Sequence, residues 1–260
     1  MLATERDTDL ITETLEHGVL TLTLGAPPAH PLSLAMIDAL HAAITRAAQN
    51  DAAKVIVIHG PGNIFCAGHD LKEIARHRAD ADCGRDYLQR LFDRCAQMMQ
   101  ALTLSPKPTI AMVEGIATAG GLQLVAACDL AFAADSATFC LPGINNKGFC
   151  TTPAVAVARN LTRKHVMEML LSGDTYDAQW ARETGLINRA LPVAELPAFV
   201  EDFARKLASR YGENVADGKR TLYRQVEMPL AEAYAHATEA MIGHFMDPDL
   251  IEHDQKAWGA

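Results

Sequence analysis

Between Gly115 and Asp129 the chain reads GIATAGGLQLVAACD, and this stretch holds the residue types best suited to chemistry. Gly120-Gly121 leads into Leu122, Leu124, Val125 and Ala126, the pattern of a turn feeding a short buried helix. The first backbone N–H groups of a helix have no intrahelical acceptor and lie at the positive end of its dipole. Glycine leaves no side chain between those donors and a ligand. An anion, or an oxygen that gains charge during a reaction, is the natural occupant. The same small residues also suit a helix packed closely on a sheet, and the stretch alone leaves both readings open.

Other reactive groups are scattered. Six cysteines, at 66, 83, 95, 128, 140 and 150, lack CxxC spacing, and four sit in apolar or glycine-rich surroundings. Reduced, mostly packed thiols are expected, with no metal site. Cys150 lies just before a helix start near Thr152, where a thiolate would be stabilised. His69 carries an imidazole that titrates in a useful range.

The chain has 260 residues, enough for one large domain or a core with a smaller appendage, and 49% of them are hydrophobic. A formal net charge of −9 with scattered Lys and Arg argues against a nucleic-acid surface. No apolar run approaches the ~20 residues of a membrane span. The N-terminal MLATERDTDL is acidic and lacks an apolar segment, so no secretory signal is expected. Together with the reduced thiols this predicts a cytoplasmic protein.

The elements that must carry these residues follow from periodicity. Val19 to Leu24 alternates as a strand and pairs with Ile11 to Leu15 across His17-Gly18. Ser33 caps a helix through Ile44, and Val55 to Ile58 is a strand buried on both faces. Asp70 to Arg78 reads as a helix. A longer one runs to Leu104 with Leu88, Leu91, Phe92, Cys95, Met98 and Met99 on one face. Strands at Thr109–Val113, Leu130–Ala134 and Thr138–Leu141 complete an α/β layout of repeated ββα units. Beyond Thr152 the chain is mostly helical, with Leu186 to Ala190 strand-like. We expect a core over residues 1–195 and a helical region over 196–260 used for packing or assembly.

The segments FCAGHDLKEI (Phe65 to Ile74) and GIATAGGLQLVAACDLAFAADSATF (Gly115 to Phe139) together resemble the enoyl-CoA hydratase/isomerase, or crotonase, superfamily. Its motifs run close to F-S/C-A-G-x-D-L/I-x-E and G-x-x-x-G-G-G/A-x-E/x-L-x-x-x-C-D. Supporting matches extend over nearly the whole chain, and Pro142 to Arg159 is most similar to the branch of enoyl-CoA hydratase domain-containing protein 3. The resemblance implies a crotonase-like spiral of ββα units with a helical C-terminal trimerisation region, assembled as a homotrimer or a dimer of trimers. It implies an acyl-CoA substrate, with coenzyme A as part of the substrate and no separate cofactor. It places an oxyanion hole at the backbone N–H groups of His69 and Gly120. The CoA moiety would pass the Ala29-His30 loop, Ala67, Asp70 and Lys72, with Lys256 reaching a phosphate.

Two positions depart from that pattern. The hydratases of the family carry one glutamate three residues after the second oxyanion glycine and another after a proline about twenty residues later. Here those positions are Gln123 and Gly143. An amide and a hydrogen cannot exchange protons with water and the α-carbon, and each missing acid or base typically forfeits about 10²–10⁴ in rate. Gln123 can still orient a water or a carbonyl. Efficient hydration by the two-carboxylate route is therefore not expected. Enolate-stabilising chemistry with another proton carrier, a non-catalytic acyl-CoA-binding role, and thioester hydrolysis or decarboxylation using His69, Lys147 or Cys150 all stay open. Asn145 and Asn146 adjoin the vacant position. Glu73 is expected on the surface, and Asp129 is expected to end the organising helix.

Overall fold

The computed structural model describes residues 10–210 and 212–259. The N-terminal segment, read above as carrying no secretory signal, lies outside the described residues through position 9. The chain divides into two compact units, 1–209 and 210–260.

In the first unit, β1 (Ile11–Glu16) and β2 (Val19–Leu24) form an antiparallel hairpin whose register runs from Ile11 opposite Leu24 to Glu16 opposite Val19. Ser33 then starts α1 (Leu34–Gln49), its Oγ accepting the Met36 N–H at 3.1 Å. Next come β3 (Val55–Gly60), β4 (Ile64–Cys66), α2 (Leu71–Arg76) and α3 (Arg85–Thr103). The unit β5 (Thr109–Val113), β6 (Ile116–Thr118) and α4 (Gly120–Ala127) follows, and then β7 (Leu130–Ala134) and β8 (Thr138–Cys140).

Each strand–strand–helix unit gives its first strand to one sheet and its second to another. The larger sheet has the order β1-β2-β3-β5-β7 and ends in β10 (Arg189–Leu191), and from β2 onward its strands are parallel. The smaller has the order β4-β6-β8 and ends in β9 (Thr175–Asp177). This mixed α/β architecture is the crotonase-like spiral expected from the motifs. The runs VIVI and TIAMV are buried throughout, as parallel strands covered on both faces require.

Between these strands lie α5 (Thr151–Val157), α6 (Arg163–Ser172) and α7 (Ala178–Thr184). The helix α8 (Leu196–Ala208) packs on β2, β3, β5 and β7, with Phe199 and Phe203 edge-on to Phe132. Its apolar stripe covers the large sheet, so the core runs past residue 195 and the units part at Ser209. The short strand β9 gave no sequence signal because its three residues are too few to show alternation.

The second unit holds α9 (Gly212–Gln225), α10 (Leu230–Phe245) and α11 (Pro248–Trp258). The α9 and α10 helices pack on one another, and Asp217 pairs with both Arg220 and His244. Leu222, Tyr234, Ile242 and Phe245 are exposed on this unit. Among the described residues no helix is long and apolar enough to cross a membrane.

Candidate active site

The site begins where two backbone segments touch. Leu32 forms an isolated parallel bridge with His69: its N–H donates to the Gly68 carbonyl at 2.8 Å, and its own carbonyl accepts the Asp70 N–H at 3.3 Å. This pattern engages both neighbours of His69 and leaves the His69 N–H out of the ladder. Gly68 has φ +81°, and a Cβ there would lie 2.9 Å from the Gly120 nitrogen and 3.1 Å from the Ala119 Cβ. Glycine alone permits this approach.

The opposing segment is the start of α4. Its cap residue, Ala119, has φ 50° and ψ −115°, a conformation that costs a residue with a side chain about 1–3 kcal/mol. Two hydrogen bonds hold it: its N–H donates to the Cys140 carbonyl at 3.1 Å, and its carbonyl accepts the Gln123 N–H at 3.0 Å. Gly121 presses against β4 so closely that a Cβ would stand 2.1 Å from the Cys66 oxygen. Gly120 faces Leu32 and His69, where a Cβ would meet Leu32 Cδ1 at 3.2 Å and His69 Cε1 at 3.4 Å. Among the described residues neither the His69 nor the Gly120 N–H donates to a protein acceptor. The two glycines thus differ in what they meet: Gly121 is a backbone packing contact, and Gly120 faces side chains and carries an N–H without a protein acceptor among the described residues.

The His69 ring lies edge-on to Phe92, with centroids 5.1 Å apart, and its Nε2 has no partner among the described residues. Burial lowers its pKa from 6.5 to about 4, so the imidazole is neutral at pH 7. Sequence periodicity placed Phe92 on the buried face of α3. It stands at the edge of that face, 36% exposed, because its ring turns toward His69.

Gln123 is 5% exposed, and its Oε1 has no partner among the described residues. A buried acceptor left unmade costs about 1–3 kcal/mol. The second departure is more severe. Gly143 lies in a 3₁₀ turn, Pro142–Asn146, and a Cβ there would be 2.8 Å from the Cys150 nitrogen and 3.0 Å from its Sγ. The space a glutamate would need at its root is filled by the backbone and thiol of Cys150. Cys150 itself is the cap residue of α5, one residue before the helix begins at Thr151. Its thiol is buried, and burial raises its pKa, which favours the protonated form over the thiolate a nucleophile needs.

The other candidates fall into place. Lys147 ends the 3₁₀ turn in a left-handed conformation with an exposed side chain. Asn145 ties that turn to the Gly173 carbonyl at 3.1 Å, and Asn146 is exposed. Asp70 caps α2, its Oδ1 accepting the N–H groups of Lys72 and Glu73, while the Lys72 side chain is exposed. Glu73, expected on the surface, is half-buried and accepts the Leu34 N–H at 3.0 Å, joining α2 to α1. Ala67 donates to the Ala29 carbonyl at 2.9 Å, which joins the two segments expected along the CoA path. His30 is buried with its Nε2 3.1 Å from the Pro61 carbonyl, so its ring is turned inward and only its backbone borders the loop. Asp129 accepts from the N–H and hydroxyl of Thr109, tying the end of α4 to β5. Lys256 lies on α11 of the second unit and pairs with Glu252. Among the described residues no group of three or more His, Cys, Asp or Glu side chains could hold a metal ion.

The family model for enoyl-CoA hydratase/isomerase matches residues 14–258. This chain belongs to the enoyl-CoA hydratase/isomerase family. Enoyl-CoA hydratase domain-containing protein 3 of Rattus norvegicus, a mitochondrial protein, is 40% identical over 228 residues, covering 87% of this chain and 74% of the relative. A crystal structure of an enoyl-CoA hydratase/isomerase family protein from Silicibacter pomeroyi superposes with a TM-score of 0.87 at 57% identity, covering 91% of this chain and all of that one. Human enoyl-CoA hydratase domain-containing protein 3 superposes with a TM-score of 0.88 at 38% identity, covering 94% of this chain and 93% of that one.

The similarity to this branch agrees with the reading of Pro142 to Arg159. The expectation of a cytoplasmic protein is corrected: the rat and human relatives carry mitochondrial names. Reduced, packed thiols indicate a reducing compartment and do not separate the cytosol from another one.

Proposed function

We propose that the chain binds an acyl-CoA thioester with its carbonyl oxygen between the N–H groups of His69 and Gly120. Negative charge that develops on this oxygen when an enolate forms is stabilised there by donors already in place. The observation that carries this reading is a pair of unpaired main-chain donors brought together by contacts that only glycine allows at Gly68 and Gly121. The CoA moiety runs past the Ala29-His30 loop, Ala67 and Asp70, with the exposed Lys72 ammonium available to a phosphate. CoA belongs to the substrate, and no other cofactor enters.

Gln123 offers its unpaired amide oxygen to a hydroxyl, a water or an N–H of the bound ligand. It moves no proton at neutral pH, and neither does the neutral His69 ring act as an acid there. Two-carboxylate hydration is thus replaced by polarisation of the thioester. A second reading, acyl-CoA binding without turnover, is favoured by the blocked space at Gly143. Thiol-based hydrolysis is disfavoured by the burial of Cys150, which raises its pKa and opposes the thiolate. The exposed apolar side chains of α9 and α10 supply a surface for association with further copies as a homotrimer or a dimer of trimers, which light scattering on the purified protein would read.

The test is a comparison of two ligands by calorimetry: butyryl-CoA and S-butyl-CoA, a thioether that lacks the carbonyl oxygen. The thioester is expected to bind about tenfold or more tightly, as two hydrogen bonds to a polarised oxygen require. Equal affinity would remove the oxyanion reading. Parallel assays with crotonyl-CoA and longer enoyl-CoAs separate an enzyme from a binding protein.

A further inference from the structure

The first turns of α3 and the loop before them border a cleft of about 440 Å³ whose lining includes Phe92. Phe92 and Leu88 form its apolar side, with Gln89 beside them, and Arg78 and Arg85 supply its charge. Arg78 is held in place by its Nη1, which donates to the Cys83 carbonyl at 3.1 Å. The Arg85 N–H donates to the Asp82 carbonyl at 3.3 Å, and its guanidinium has no hydrogen-bonding or ionic partner among the described residues. The one acidic group lining the cleft, Asp82, is already engaged by the N–H groups of Gly84 at 2.9 Å and Asp86 at 2.7 Å. Those bonds hold its carboxyl below the usual range, so it stays anionic at the start of α3. Two guanidinium groups thus line the cleft with one carboxylate, and neither is ion-paired among the described residues.

The cleft adjoins the candidate site through one side chain. Phe92 forms its wall at one end and touches the His69 ring. Residues 85, 88, 89 and 92 recur at helical spacing along one side of α3, so Arg85 and Phe92 stand about 10 Å apart along the axis. An acyl chain of medium length, anchored by its thioester at His69 and Gly120, would pass Phe92 and Leu88 and present its far end to the arginines. Guanidinium forks match a carboxylate in geometry and charge, and a methyl terminus gains nothing from them.

Building on the acyl-CoA reading above, we propose that this cleft selects acyl-CoA thioesters whose acyl chain ends in a carboxylate, with Arg78 and Arg85 as the specificity-determining residues. Cys83 lines the same cleft and is the one exposed thiol among six free cysteines, which makes it a native reporter of occupancy.

The experiment compares octanedioyl-CoA with octanoyl-CoA on the full chain by calorimetry, and follows alkylation of Cys83 by N-ethylmaleimide in parallel. We expect octanedioyl-CoA to bind about five- to tenfold more tightly. It should slow alkylation of Cys83 more than octanoyl-CoA does. Both differences should vanish in the Arg78→Ala/Arg85→Ala double variant, whose substitutions lie on exposed side chains and leave the core intact. Equal affinities, or a preference that survives the double variant, overturn the assignment of the cleft alone. Failure of every acyl-CoA to bind overturns it together with the acyl-CoA reading on which it rests.

Discussion

Gly120-Gly121 and Gly143 use the same residue type for opposite ends. At the start of α4, the absence of side chains brings two backbones together, and the His69 and Gly120 N–H groups have no protein acceptor among the described residues. At Gly143 the space a side chain would take is already occupied by the Cys150 nitrogen and thiol. On the reading proposed above, the first region would supply the donors that enolate stabilisation requires, while the second fills the position from which a carboxylate would deliver or accept a proton. The contrast therefore sets a charge-stabilising role against a missing proton-transferring one. A glycine in a sequence shows that a side chain is missing; only its neighbours show whether the space is free.

That contrast can be broken most forcefully at Gly121. Gly121→Ala drives a Cβ into the Cys66 carbonyl, and a loss of about 3 kcal/mol or more is expected in denaturant unfolding. Unchanged stability would show that α4 does not depend on this contact. At the closed end, Gly143→Glu should cost about 2 kcal/mol through displacement of Cys150. Even combined with Gln123→Glu it should gain no crotonyl-CoA hydration. A hydratase recovered by that pair would mean that the 142–150 turn opens freely.

A smaller effect is expected from His69. Its pKa of about 4 lies below the ordinary 6.5, so the unfolded chain binds the extra proton first. The cost is absent above pH 6.5 and grows as the pH falls toward 4, reaching on the order of 1–2 kcal/mol for this partly exposed ring. Thermal melts across that range should show the slope in the parent and a reduced one in His69→Gln. The mildest change is Gln123→Leu, which removes a buried acceptor with no partner. Stability should stay within about 1 kcal/mol, or rise, while acyl-CoA affinity falls. A large loss of stability would instead reveal a structural partner for that amide.

Much of the fold was legible in the chain because its signals are local. The β1–β2 hairpin, the Ser33 cap and the doubly buried strands follow from alternation, hydrogen-bonding side chains and apolar runs. The glycine-rich start of α4 was equally plain, and the resemblance of both motifs directed attention to His69. What stayed hidden depends on contacts between distant segments. Phe92 resembles any core residue of an amphipathic helix until His69 is placed beside it. The strain at Ala119 has no sequence signature, since alanine suits an ordinary helix as well. His30 sits among prolines in a loop expected to border the CoA path, yet its ring turns inward to Pro61. Cys150 carried a signal for a helix start, but burial, the factor that controls its reactivity, is a property of the packed molecule.

Infrared difference spectroscopy of a bound acyl-CoA carrying a ¹³C-labelled thioester carbonyl addresses the pair of amides most directly. Donation from both His69 and Gly120 should move the carbonyl stretch to lower frequency than in free solution. Gly120→Pro, which removes one donor, should return part of that shift. A bound thioester whose carbonyl frequency matches that of the free ligand would contradict the assignment.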